Sequence, residues 1–169
     1  LPVDVVFFDE EAIHPETISY CERVSKLPEV NFLWLCIPVK HRNACSRQEP
    51  YWYCWDKDKE DKWCRPMPEQ AVTEVKGFVK GMGMVEMVHL VYDESHGTVA
   101  MARGIRADES LRRYRSVAHR TKDNWIAKAE RGYFYQTSPI YDWTTFDVWT
   151  APRKFNWDYN RAYDVMQKM

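Results

Sequence analysis

Arg106 and Arg113 frame the stretch Gly104-Ile105-Arg106-Ala107-Asp108-Glu109-Ser110-Leu111-Arg112-Arg113, which leaves an apolar run (Val99, Ala100, Met101, Ala102) and turns helix-like. A glycine at the carboxyl end of a strand lets backbone approach a ligand closely. The helix N-terminus beyond it offers free amides and a positive dipole end to an anion. Two guanidiniums placed there suit a phosphate or sulfate, which they hold through paired, charge-assisted bonds. The competing reading is a surface helix in which Asp108 or Glu109 pairs with Arg112 or Arg113.

A second group with chemical potential is Asp9-Glu10-Glu11, which follows the apolar run Val3 to Phe8. Ligands of open α/β sheets bind beyond the carboxyl ends of the strands, so these acids and Arg106 are expected to share one crevice. Three carboxylates beside a polyphosphate would repel it unless some turn outward or hold a divalent cation such as Mg2+. Solvated turn acids are the alternative.

Local patterns along the chain supply a scaffold for these groups. Val3 to Phe8 suits a strand buried on both faces. Pro15 opens a helix with Glu16 in its first turn and Ile18, Cys21 and Val24 as its stripe. Asn31 to Pro38 reads as a second strand, so the order strand, helix, strand implies a parallel sheet with a right-handed crossover. Residues 39–67 lack periodicity and read as an aromatic-rich functional or packing insertion. Ala71, Val72, Val75, Phe78 and Val79 predict a helix over Pro68 to Lys80, ended by Gly81 and Gly83. Thr98 to Gly104 is a third strand, continued as helix from Leu111. Thr121 to Arg131 reads as helix with Gly132 as its C-cap, and Tyr133 to Gln136 as a short strand. Thr144 and Asp147 form a capping-box pattern, and Asp158 is expected to cap a last helix bearing Tyr159, Ala162, Tyr163 and Met166.

These 169 residues fit a single domain spanning 1–169, long enough to bury about 70% of the unfolded surface. A net charge of −1 supplies no global basic field, so any anion site must be local. No apolar run approaches the roughly 20 residues that cross a bilayer, and a cytoplasmic protein without a membrane partner is expected. Of five cysteines, Cys21 and Cys36 fall in apolar patterns as small hydrophobes. Cys45, Cys54 and Cys64 lack the paired spacing of structural zinc sites, and no metal site is assigned. His14 and His41 are candidate acid-base groups or surface residues; His89, His96 and His119 have no evident partner.

Gly-Ile-Arg, then Glu-Ser, then an arginine three residues after the serine, resembles the signature of the phosphoadenosine phosphosulfate (PAPS) reductase family, within the adenine nucleotide alpha-hydrolase superfamily. Val5-Val6-Phe7-Phe8-Asp9-Glu10-Glu11 with Pro15-Glu16-Thr17 resembles that family's second strand, acidic loop and helix start. Pro139-Ile140-Tyr141-Asp142-Trp143-Thr144-Thr145-Phe146-Asp147-Val148-Trp149 is similar to its Pro-x-x-Asp-Trp-x-x-x-Asp-Val segment. Tyr51-Trp52-Tyr53-Cys54-Trp55 and Trp63-Cys64-Arg65-Pro66-Met67-Pro68 resemble a prokaryotic and phage subfamily described as PAPS reductase or sulfotransferase-like.

The resemblance implies an α/β, Rossmann-like fold with a mainly parallel sheet flanked by helices, truncated at its N-terminal strand. No stretch matches the family's Ser-Gly-Gly-Lys-Asp-Ser phosphate loop, and no cysteine follows Cys64 to serve as the reductases' sulfur nucleophile. Sulfonucleotide reduction by this polypeptide alone is therefore not expected. The resemblance implies an adenine nucleotide, PAPS or ATP, bound by Asp9, Glu10, Glu11, Gly104, Arg106, Ser110 and Arg113. Arg42, Asn43 and Ser46 with the neighbouring aromatics would form a lid, stack on nucleic-acid bases, or simply be core. Asp142, Trp143 and Asp147 are expected to be scaffold. The expected function is sulfur or nucleotidyl transfer, with no catalytic residue assigned. One alternative is a non-catalytic nucleotide-sensing module, working with a DNA-acting protein partner and meeting nucleic acid only through it. Another is an FAD synthetase-like adenylyltransferase.

Overall fold

The computed structural model describes residues 2–118, 126–128 and 131–166. The chain forms two compact units, Leu1–Val91 with Asn160–Met169, and Tyr92–Tyr159. It is an α/β protein with small sheets, and the parallel pairings lie in two of them.

In the first unit, β1 (Val3–Phe8) runs parallel to β2 (Val30–Leu35), with Val3 opposite Val30 and Phe8 opposite Leu35. Helix α1 (Pro15–Val24) joins them. Pro15 presets the first turn, and the His14 Nδ1 accepts the Glu16 amide at 3.2 Å, so His14 is a cap. Trp34, Leu35, Cys36, Ile37 and Val39 are all buried and form the core with Cys21, Cys54, Trp55 and Met87. Phe7 meets the edge of Trp34 at 5.2 Å. Trp34 and Leu35, on opposite faces of β2, are both buried, whereas β1 is exposed at Val3 and Asp4 and only half-buried from Val5 to Phe8.

The helix expected over Pro68 to Lys80 does not form. Val72 donates its amide to the Trp34 carbonyl at 2.8 Å, and Cys36 donates to the Val72 carbonyl at 3.0 Å. Val72 is therefore extended and bridges Leu35 in parallel. The open edge of β2 supplies donors and acceptors that must be paired when buried, and β-branched residues suit the extended state. This outweighs the helix-like spacing of the apolar residues. The helix comes later, as α2 (Met84–Val91), after Gly81 with φ +99°. Six apolar residues out of eight leave no polar stripe to mark it in the sequence.

The insertion is ordered. Strands β3 (Lys40–Arg42) and β4 (Tyr51–Tyr53) pair antiparallel, and a 3₁₀ turn at Lys57–Lys62 begins at Asp56. In the second unit, β5 (Val99–Ala102) lies parallel to β7 (Phe134–Thr137), whose other edge carries the antiparallel β6 (Ile126–Lys128). The helix expected from Thr121 to Arg131 is thus corrected to a strand at Ile126–Lys128, where pairing to the edge of β7 outweighs the poor β propensity of Ala127 and Lys128. Residues 121–125, 129 and 130 lie outside those described, as does His119. Gly132, with φ +70°, stands just before β7.

Helix α3 (Leu111–Ala118) follows the arginine motif, and α4 (Thr145–Phe155) opens with the anticipated capping box. The last helix, α5 (Ala162–Met166), belongs to the first unit. Its cap is Asn160, whose Oδ1 accepts the Ala162 amide at 2.9 Å. Asp158 was expected there, but its carboxylate accepts the Tyr159 amide. The Asn160 Nδ2 also donates to Thr17 Oγ1 at 2.9 Å, tying α5 to α1.

The extended path at Val72 carries an amide-exchange signature. Val72 and Cys36 should exchange slowly, while Glu74 and Val75 exchange fast. Slow exchange of all four would restore the helix.

Candidate functional site

Asp9 ends β1 and lies 1% exposed. Its Oδ1 accepts the Glu11 amide at 2.9 Å. Its Oδ2 accepts Trp34 Nε1 at 2.7 Å and the Cys36 thiol at 3.7 Å, and forms an ion pair with Arg65. The Asp9 carbonyl accepts Trp55 Nε1 at 2.8 Å. Two residues on, Glu11 adopts φ +66° and turns its carboxylate inward. There it accepts the amides of Trp55 at 2.9 Å and Cys64 at 3.1 Å, while its carbonyl accepts Arg65 Nε at 3.0 Å. The Arg65 guanidinium also lies 4.8 Å from the Trp55 ring.

Thus two of the three acids expected beside a nucleotide hold the insertion onto the strand ends. A buried carboxylate needs such donors, because unpaired it would be very costly. Glu10 alone of the three is half-buried with a carboxylate not bonded to another described residue. Trp34, Trp55, Cys64 and Arg65 were missed as partners. Their only trace in the sequence is a cluster of indole N–H and guanidinium donors in the same chain as three adjacent acids.

The lid residues close on their own hairpin loop. Asn43 Oδ1 accepts the Cys45 amide at 3.0 Å and Ser46 Oγ accepts the Glu49 amide at 3.0 Å. Arg42 is exposed opposite Tyr51. His41 stacks on Trp52 at 4.9 Å, with its Nε2 3.7 Å from the Cys54 sulfur. That pair is not an activated nucleophile. Cys54 is fully buried against the Ile37 carbonyl at 3.2 Å, and burial pushes its thiol up to about 12. Burial likewise raises Cys21 to about 11 and raises Cys36, where Asp9 adds to the effect. A thiol so raised is not the reactive thiolate at neutral pH. Cys45 and Cys64 are exposed. Among the described residues, no three His, Cys, Asp or Glu side chains are placed to hold a metal ion.

In the second unit, the two arginines of the motif converge. Arg106 Nε lies 3.6 Å from Glu109 Oε1, and Arg113 Nε lies 3.6 Å from Glu109 Oε2. Arg106, with its side chain 14% exposed, also reaches the Trp143 carbonyl at 3.4 Å and Asp108 at 3.7 Å. Asp108 Oδ2 accepts both the amide and the hydroxyl of Thr145 at 3.1 Å, tying the motif to the start of α4. Ser110 Oγ accepts the Arg113 amide at 3.2 Å and so caps α3. Gly104 has an ordinary φ, and an added Cβ would meet only Ile140 at 3.9 Å, so the local fold does not demand glycine. Asp147 serves the capping box, Trp143 is half-buried and Asp142 is exposed.

The first unit also holds a cleft of about 430 Å³ lined by Cys36, Asp56, Met67, Thr73, Phe78 and Lys80. It opens where β2 and the Val72 stretch end, as expected for an α/β sheet. Lys80 Nζ spans its rim, 2.7 Å from Asp56 and 3.1 Å from Asp58. The hydrogen bond from Lys80 holds the Asp56 carboxyl below the usual range.

Small, partly parallel sheets with helices, and an arginine pair beyond the end of β5, define an α/β protein. The chain belongs to the phosphoadenosine phosphosulfate reductase domain family, which it matches over residues 1–166. It is 33% identical to the uncharacterized protein YbdN of Escherichia coli strain K12 over 176 residues, covering 96% of this chain and 43% of YbdN. The chain thus spans less than half the length of that relative. No solved structure matches it. Among the described residues, no helix is long and apolar enough to cross a membrane.

Two outcomes follow from this bonding. Asp9→Ala strands Arg65 and the Trp34 N–H, and should cost about 3–5 kcal/mol in a denaturant melt, the scale for breaking a buried pair; a melt like the parent's would place Asp9 outside the scaffold. Because the folded pKa of Asp56 is lowered, its contribution to stability is present above the unfolded value of about 3.9 and is lost as pH falls through the folded value. The stability gap between parent and Asp56→Asn should therefore close in acid, and a gap independent of pH would contradict the Lys80 bond.

Proposed function

We propose that this chain binds an adenine nucleotide, PAPS or ATP, through its arginine motif, and serves sulfur or nucleotidyl transfer. The observation carrying this reading is the carboxylate of Glu109 between the guanidiniums of Arg106 and Arg113. The two cations are already arranged around one anionic group. Their separations exceed the 2.7–2.9 Å typical of charge-assisted bonds, so a phosphate or sulfate that displaces Glu109 gains shorter ones. Ser110 holds Arg113 at the start of α3, and Gly104 leaves the strand end open beside them. Asp9 and Glu11 act as the frame of the acidic loop, leaving Glu10 as the acid able to meet a ligand or Mg2+. Over residues 1–166 the chain reads as one family domain with a Rossmann-like fold. The raised thiols of Cys21, Cys36, Cys54 and Cys64 favour nucleotide sensing as the second reading.

Calorimetric titration with ATP, PAPS and adenosine tests the proposal. Arg106→Ala should weaken binding of the anionic ligands by about 1.5–3 kcal/mol, the scale of a lost charge-assisted bond, with adenosine less affected. Glu109→Gln should tighten the same ligands by removing the competing carboxylate. Unchanged affinity in both folded variants would remove the motif from the site.

A further inference from the structure

Exposed aromatics recur along α4 of the second unit, and two of them pair at its end. Phe146, Trp149, Phe155 and Trp157, on α4 or just beyond it, are 74%, 52%, 52% and 54% exposed. Large aromatics left in water mark a binding surface more often than a scaffold. The end of this surface is built rather than frayed. Asn156 takes the left-handed conformation, with φ +54°, and the Trp157 amide donates back to the Pro152 carbonyl at 2.9 Å. The chain therefore folds back, and Trp157 stacks on Phe155 with ring centroids 4.8 Å apart and planes 25° from parallel.

Cations interleave with these rings. Lys154 Nζ lies 5.3 Å from the Phe155 ring centre, and Arg153 is exposed beside it. Of the nearby acids, Asp147 serves the capping box and Asp158 holds the Tyr159 amide, while Asp142 is exposed in the cleft it shares with Lys154 and Phe155. A protein-docking centre is depleted of charge. Flat rings alternating with cations are instead the combination that binds single-stranded nucleic acid, rings taking bases and cations taking phosphates.

We propose that the second unit binds single-stranded DNA or RNA directly, with a base stacked on Trp157 and phosphates met by Arg153 and Lys154. This does not depend on the nucleotide site, since none of these residues belongs to it. It brings nucleic acid to the chain itself, where the sequence alone brought it only through a partner.

The test is anisotropy of a labelled oligothymidylate with the full chain at low salt, read beside tryptophan fluorescence. The parent should bind, quench its tryptophan emission and lose affinity with salt. Trp157→Ala should weaken binding about tenfold, and Trp157→Phe should restore most of it. Arg153→Gln with Lys154→Gln should flatten the salt dependence by about 0.7 for each phosphate no longer neutralised. ATP affinity should be unchanged in these variants, which separates failure here from failure of the nucleotide reading. The proposal is overturned by absence of oligonucleotide binding, by equal binding in parent and variants, or by equal preference for a duplex. Capture by phosphatidylserine vesicles alone, or self-association abolished in Trp157→Ala without any oligonucleotide binding, would also overturn it.

Discussion

The first unit depends on burying the Asp9 carboxylate without leaving it unpaired. A charged group taken out of water demands compensation, and here it recruits donors from separated parts of the sequence: Trp34 and Cys36 at and beyond the end of β2, and Arg65 beyond the 3₁₀ turn. Glu11 repeats the device with the amides of Trp55 and Cys64. The insertion needs no long helix or strand because its polar groups close onto these two acids. The same bonds explain why an aromatic segment so poor in periodicity is ordered.

Much of the frame is legible in the residues. The runs at β1 and β2, the proline at the start of α1 and the capping box of α4 are local signals, and each forms the element its pattern announces. The departures share one cause. Val72 is extended because β2 offers an open edge, and residues 126–128 because β7 does. Edge pairing is a tertiary demand that a helical spacing of apolar residues does not reveal. Helix α2 is hidden for the opposite reason, since apolar residues nearly all round leave no amphipathic period.

For the candidate site, the arginine motif is legible as a motif but not in its resting arrangement. Of the two open readings of its spacing, the observed geometry is the ion pairing of a surface helix: Glu109 pairs with Arg113, and with Arg106 as well. The acidic loop departs from expectation in its balance of roles. Three adjacent acids read alike in sequence, yet a positive φ at Glu11 and the alternation of burial turn two inward and leave Glu10 as the half-buried one.

The position of Glu109 has a thermodynamic consequence. For the anion site proposed above, a carboxylate tethered next to two guanidiniums is an intramolecular competitor, present at an effective concentration on the order of millimolar however dilute the protein. It keeps the cations aligned at rest, so an entering ligand spends little on ordering them. It also sets a threshold: a singly charged anion only replaces like with like, whereas a multiply charged group gains in the exchange. Selectivity for the charge of a ligand can thus be written into a resting ion pair rather than into the shape of a pocket.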